Sequence, residues 1–164
     1  LAPVGGYPGE EDKAREMFAK LDAGKRLEDL AAGADHLKKR PEFNGKLGAI
    51  GFCFGGLVVN QLAVRFPDLV AGVPYYGRQV SAEDAAKIKA SLLLHFAEND
   101  DNVNKTWPAY EQALKANNVR YQAHVYPGTN HGFHNDTTPR YDEAAAKLSW
   151  SRTVAFFKEQ LGKA

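Results

Sequence analysis

Apolar positions alternate along this chain between two periods. From residue 10 to 21, Ala14, Met17, Phe18 and Leu21 recur at helical spacing, and a second stripe of Leu27, Leu30, Ala31, Ala34 and Leu37 follows Gly24. Pro41 and Asn44-Gly45 then predict a turn. Beyond it the pattern becomes strand, helix, strand. Residues 46–52, 69–75, 91–97 and 119–126 read as short apolar strands. Between them, residues 54–66 form a helix too apolar for a surface element, ended by Pro67, and residues 81–89 a short helix or turn. Residues 106–117 form a helix whose Pro108 suits its first turn, and a last helix spans about 139–161, with Trp150, Val154, Phe157 and Leu161 on one face.

Continuous apolar strands separated by helices predict an α/β fold: a mostly parallel sheet with helices on both faces, in one domain over 1–164. In such sheets ligands bind beyond the carboxyl ends of the strands. The opening residues 1–9, with two prolines and three glycines, read as irregular.

Charge narrows the function classes. The 21 basic and 20 acidic residues leave a net charge of +1 with no long run of one sign, so neither a nucleic-acid surface nor a membrane patch is expected. No apolar stretch approaches the roughly 20 residues that cross a bilayer, and no basic region followed by a hydrophobic run opens the chain. A single cysteine forms no internal disulfide, which fits a reducing compartment, and a soluble, cytoplasmic protein is the expectation. The chain begins at Leu1, without methionine, and is expected to be processed, excised or truncated.

The lone cysteine is the centre of the candidate chemistry. Cys53 stands in Gly51-Phe52-Cys53-Phe54-Gly55-Gly56, between a predicted strand and a predicted helix. That arrangement is a nucleophile elbow, a sharp turn in which small neighbours, Gly51 and Gly55 among them, let backbones approach while the central side chain projects. A helix N-terminus aimed at the thiol favours thiolate. The alternative is a buried structural cysteine, which has no need of three glycines.

Two further strand ends carry partners. Asp100 and Asp101 follow the third strand, and His131 follows the fourth, in Asn130-His131-Gly132-Phe133. Nucleophile, acid and histidine thus occur in the chain order of an α/β-hydrolase triad. Cys53 would attack a carbonyl carbon, His131 would manage the proton, and Asp100, preferred over Asp101, would orient the imidazole. The alternatives are a solvated carboxylate or helix cap for either aspartate and a loop-stabilising role for His131. His36 is expected on the surface, His95 and His124 partly buried in strands, and His134 lies three residues past His131. No Cys or His cluster has metal-ligand spacing, and residues 51–56 lack the G-x-G-x-x-G register, so neither a metal nor a dinucleotide cofactor is expected.

At these residues the sequence resembles the dienelactone hydrolase family, cysteine-using members of the α/β-hydrolase fold. The likeness runs through Gly51 to Gly56, Tyr75-Tyr76-Gly77, the Asp100 turn and Asn130-His131-Gly132-Phe133, and extends over essentially the whole chain. It implies hydrolysis of a small ester or lactone through an acyl-thiol intermediate, with Cys53, Asp100 and His131 as the triad. It also implies the backbone N–H of Phe54 as one oxyanion donor and Tyr76 as a pocket wall. Where family members carry an arginine that grips a substrate carboxylate, this chain has Asn135, which leaves open whether dienelactone itself is the substrate. The family also has strands ahead of the segment seen here, with a second oxyanion donor, a glutamate that tunes the cysteine and another arginine. The chain therefore reads as the C-terminal two-thirds of the fold. Its open sheet edge is expected to be filled by a second copy or by a separate N-terminal segment. Two other readings stay open: a binding or assembly module with weak catalysis, and a redox-reactive thiol protein.

Overall fold

The computed structural model describes residues 4–162. They fall into two compact units, divided between Phe43 and Asn44. The first unit holds α1 (Glu11–Ala19) and α2 (Ala23–Lys38). Asp22 caps α2 by accepting the Lys25 N–H, so Gly24 lies inside the first turn of that helix and is not the break that the sequence suggested. The apolar stripe of α2 is uneven, with Leu30 and Leu37 both exposed.

The second unit is built on four strands, β1 (Leu47–Phe52), β2 (Leu69–Tyr75), β3 (Ser91–Asn99) and β4 (Tyr121–Asn130). They lie side by side in chain order, all parallel. Joining them are α3 (Phe54–Arg65), α4 (Ala82–Ala85), α5 (Asp101–Asn104) and α6 (Trp107–Ala116), and α7 (Glu143–Leu161) closes the unit. Strand alternation sorts the two faces. A side chain at Gly72 would meet Val59 of α3, and Phe96 lies against Trp107 of α6, so these helices cover one face. A side chain at Gly48 would meet Phe157 and Leu161, and Tyr75 and His95 bond to Thr153, so α7 covers the other. Ala71, Val73, Leu93 and Phe133 form the core beneath α7 together with Phe156.

Several boundaries differ from the sequence reading, and two have a visible cause. β4 runs on to Asn130, past Pro127-Gly128, because the Glu98 carboxylate accepts the Gly128 N–H at 2.7 Å and the Thr129 hydroxyl donates to the Tyr126 carbonyl. α7 begins four residues later than expected, at Glu143, since Asp142 supplies its N-cap by accepting the Ala145 N–H. The short α5 was not foreseen. His95, expected to be partly buried, is fully buried: its imidazole bonds Tyr126 at 2.8 Å and Thr153 at 3.1 Å, and burial lowers its pKa to about 3, so it stays neutral.

Candidate active site

Every strand of the sheet delivers its next residue to one place. Cys53 follows β1, Tyr76 follows β2, Asp100 follows β3 and His131 follows β4. A parallel sheet aligns its carboxyl ends, so residues far apart in sequence arrive side by side.

The elbow is visible in the backbone. Cys53 takes φ 55° and ψ −115°, in the left-handed half of φ space that a residue with a Cβ seldom enters. The sheet and the helix hold it there: its N–H donates to the Tyr75 carbonyl at 3.0 Å, and its own carbonyl accepts the Gly56 N–H at 3.0 Å. Glycine is required at Gly51, where a Cβ would lie 2.1 Å from the Gly55 carbonyl oxygen. Gly55 itself has no such need, because a Cβ there would meet nothing within 4 Å. Of the two glycines that the sequence reading named, Gly51 alone is needed for the close approach, seconded by the Gly56–Gly77 contact, where a Cβ on Gly77 would stand 2.4 Å from the Gly56 carbonyl carbon.

Cys53 Sγ lies 3.0 Å from His131 Nε2, and His131 Nδ1 lies 2.5 Å from Asp100 Oδ2. Asp100 is buried, whereas Asp101 is exposed at the start of α5, so the structure places the first aspartate of the pair against the histidine. The hydrogen bond to Cys53, opposed by burial and reinforced by Asp100, raises the His131 pKa to about 9. His131 in turn lowers the Cys53 pKa, against the desolvation of the thiol, with a smaller contribution from the backbone of Phe54 at the N-terminus of α3. Both shifts favour a thiolate beside an imidazolium. Tyr76, with φ 34° and its N–H bonded to the His95 carbonyl at 2.7 Å, is nearly buried and packs its ring 5.0 Å from His131. Burial first, then the Cys53 charge, pushes its phenol well above the usual range and keeps it protonated.

Two clefts meet at Cys53, His131 and Tyr76. The first, of about 400 Å³, is walled by Phe52, His134 and Asn135. The second, of about 500 Å³, is walled by Phe54, Leu57 and Val103 and reaches Arg78. Tyr76 lines both clefts, and Phe54 lines the second. Asn135 lines the first cleft, but its side-chain oxygen already accepts from the Thr137 N–H and hydroxyl. The guanidinium beside the site comes instead from Arg140, which lines both clefts and lies about 3.6 Å from where a Gly132 Cβ would stand. Sequence reasoning missed Arg140, which it assigned to the last helix, and Arg78, for which no periodic signal exists. Nε2 of His134 is buried without a hydrogen-bond partner among the described residues. No group of three or more His, Cys, Asp or Glu side chains that could hold a metal occurs among the described residues.

Comparison with known proteins agrees with this architecture. Protein usf of Aquifex pyrophilus is 37% identical over 158 residues, covering 85% of this chain and 68% of that protein. The carboxymethylenebutenolidase homolog of Xenopus tropicalis is 38% identical over 136 residues, covering 79% of this chain and 55% of that protein. A Klebsiella pneumoniae structure bearing a dienelactone hydrolase designation superposes with a TM-score of 0.78 at 28% identity, covering 87% of this chain and 64% of that one. The acylaminoacyl peptidase of Pyrococcus horikoshii, 17% identical with a TM-score of 0.70, covering 84% of this chain and 28% of that one, shows the shared α/β-hydrolase fold. The chain thus spans between about half and about two-thirds of these relatives, the much longer peptidase aside. The sequence profile of the dienelactone hydrolase family matches residues 5–161, and the chain belongs to that family.

Proposed function

We propose that this chain hydrolyses a carboxylic ester or lactone, with Cys53 as nucleophile, His131 as proton carrier and Asp100 as the group that orients the imidazole. The observation that carries the reading is the continuous contact from Sγ through the imidazole to a buried carboxylate, at 3.0 and 2.5 Å. The thiolate attacks the carbonyl carbon, and its electron pair forms the C–S bond while the carbonyl π pair moves onto oxygen. Collapse of that oxyanion breaks the C–O bond, and the departing alkoxide takes the Nε2 proton of His131. Water then attacks the thioester and yields its proton to Nε2, which releases the carboxylic acid and restores the thiolate. The Phe54 N–H beside Sγ supports an oxyanion donor there, and one donor of this kind is worth roughly 100- to 1,000-fold in turnover.

A second reading has its own observation. Among the described residues β1 pairs with β2 on one side, and no strand pairs with its other edge. A strand added there, from a second copy or an N-terminal segment, would carry the opposite oxyanion donor. The chain alone would then acylate and turn over poorly, as a binding module would.

Rapid-mixing assays with 4-nitrophenyl acetate separate the two. Hydrolysis is expected to show an acyl burst and steady turnover, both lost in Cys53→Ala, with the burst strongly slowed in His131→Ala. One equivalent of 4-nitrophenolate without turnover would favour the second reading. Steady hydrolysis that survives Cys53→Ala would overturn both.

A further inference from the structure

The helix that closes the second unit stands outside the site: among the described residues, none from α7 lines either cleft. It grips the layer of the sheet immediately beneath. Phe52, Tyr75, His95 and His124 are register partners across the four strands, and their rings form a row with neighbouring centroids 4.5, 4.2 and 6.1 Å apart. Two members of this row carry the backbone of the site. The Tyr75 carbonyl accepts the Cys53 N–H at 3.0 Å, and the His95 carbonyl accepts the Tyr76 N–H at 2.7 Å. Cys53 and Tyr76 both have positive φ, a conformation that persists in a residue with a Cβ only when its surroundings hold it.

One atom of α7 holds both anchors. Thr153 is fully buried and places its hydroxyl 2.7 Å from the Tyr75 phenol oxygen and 3.1 Å from His95 Nε2. The far side of the imidazole is fixed as well: Nδ1 lies 2.8 Å from the Tyr126 hydroxyl, which accepts an N–H of Arg152 at 3.1 Å. Arg152 can only donate, which frees the Tyr126 hydrogen for Nδ1. His95 is neutral, with one donor and one acceptor, so Nε2–H then donates to Thr153 and Thr153 to Tyr75. No hydrogen between Arg152 and Tyr75 is left unused, and such a run of buried bonds rigidifies what it joins.

We propose that Thr153 is a positioning residue for the nucleophile. Its hydroxyl ties β2 to β3 through their side chains and so sets the two carbonyls that carry the Cys53 and Tyr76 backbones, and with them the approach of Sγ to His131. The Tyr76 ring, 5.0 Å from His131, passes a shift of its backbone on to the imidazole. The leverage is steep, because a misplacement of about 1 Å at a reacting atom costs on the order of 100-fold in rate. The inference rests on Cys53 as the reacting atom.

Cys53 is the only cysteine, so the pH profile of its alkylation by iodoacetamide reads the contact with His131 whether or not the chain turns over ester. In Thr153→Val the midpoint of that profile is expected to move up by about one pH unit, a tenfold loss of thiolate at a pH below both midpoints. Hydrolysis of 4-nitrophenyl acetate should fall roughly tenfold in kcat with KM little changed. Thr153→Ser keeps the oxygen and loses the methyl, so it should be less stable yet keep the wild-type midpoint. Ile88→Val, a buried truncation outside this network, is the control for lost stability, with the midpoint unchanged. Tyr75→Phe removes one of the two bonds, should move the midpoint the same way by less, and decides the question if Thr153→Val does not fold. A wild-type midpoint in the folded Thr153→Val chain, or in Tyr75→Phe where the former does not fold, would overturn the proposal, as would an equal shift in Ile88→Val. Failure of the wild type to hydrolyse the ester would count against the hydrolase reading, while the alkylation profile still decides the role of Thr153.

Discussion

Replacing Gly51 by alanine tests the elbow more sharply than removing any reactive group. The new Cβ would stand 2.1 Å from the Gly55 carbonyl oxygen and 2.3 Å from its carbon, both backbone atoms, so no side chain can rotate away. Contacts of this kind below 3.0 Å essentially never occur, and either β1 or the first turn of α3 must retreat by about 0.9 Å. That retreat acts on the Cys53 N–H to Tyr75 carbonyl bond and on the 3.0 Å contact between Sγ and Nε2. Overpacking of this size costs about 1–3 kcal/mol in stability, and a displacement near 1 Å at a reacting atom costs on the order of 100-fold in rate. Gly55→Ala is the matched control: its Cβ meets nothing within 4 Å, and in the first turn of α3 it should be neutral or stabilising by up to about 1 kcal/mol. Denaturant unfolding, the iodoacetamide rate at Cys53 and ester hydrolysis, measured on both variants, give the comparison. Wild-type thiol reactivity in Gly51→Ala, or equal damage in Gly55→Ala, would refute the argument that the approach of β1 to α3 sets the nucleophile.

Two other outcomes follow from the electrostatics and the core. His131, raised to about 9, holds its proton more tightly in the folded chain; its contribution to stability is complete below the ordinary histidine value near 6.5 and fades as pH rises through about 9. Cys53, lowered, contributes above the ordinary thiol value and loses that contribution as pH falls through its folded pKa. Alkylation of Cys53 should therefore persist well below the ordinary thiol pKa, hydrolysis should lose its proton donor near pH 9, and a rate that simply climbs through pH 8.5 would contradict the pairing. Thr153→Val keeps the shape of the side chain but strips the hydroxyl that bonds Tyr75 at 2.7 Å and His95 at 3.1 Å; a loss of about 1–3 kcal/mol in urea unfolding is expected, because the buried Nε2 of His95 loses its partner while Nδ1 keeps Tyr126, and an unchanged stability would refute it.

The contrast between what the chain announced and what it concealed has a physical pattern. β2 was legible to the residue, Leu69–Tyr75, because a buried parallel strand is a continuous apolar run bounded by turn residues. Cys53, Asp100 and His131 were legible because each stands at a strand end in a glycine-rich or Asn/Asp-rich turn. Arg140 was not. Residues 131–142 fold back so that the Asp142 N–H bonds the Phe133 carbonyl at 2.9 Å, and this return, which no periodicity encodes, brings the guanidinium over Gly132. The extension of β4 hid in the same way: Pro127-Gly128 reads as a stop, and the Glu98 carboxylate from the neighbouring strand helps to carry the chain through it. Periodicity reports what a segment does alone; it is silent on partners supplied by another strand.

The separation of 78 residues between Cys53 and His131 has a temporal meaning. As the polypeptide leaves the ribosome, the thiol emerges first, then Asp100, and the imidazole that contacts the thiol in the fold last. At common elongation rates that interval is roughly 4–16 s. Until β4 joins the sheet, nothing holds His131 against Sγ, and Cys53 is an ordinary, mostly protonated thiol. The nascent chain therefore carries its one thiol in a quiet form, and the reactive form comes into being with the last strand of the sheet.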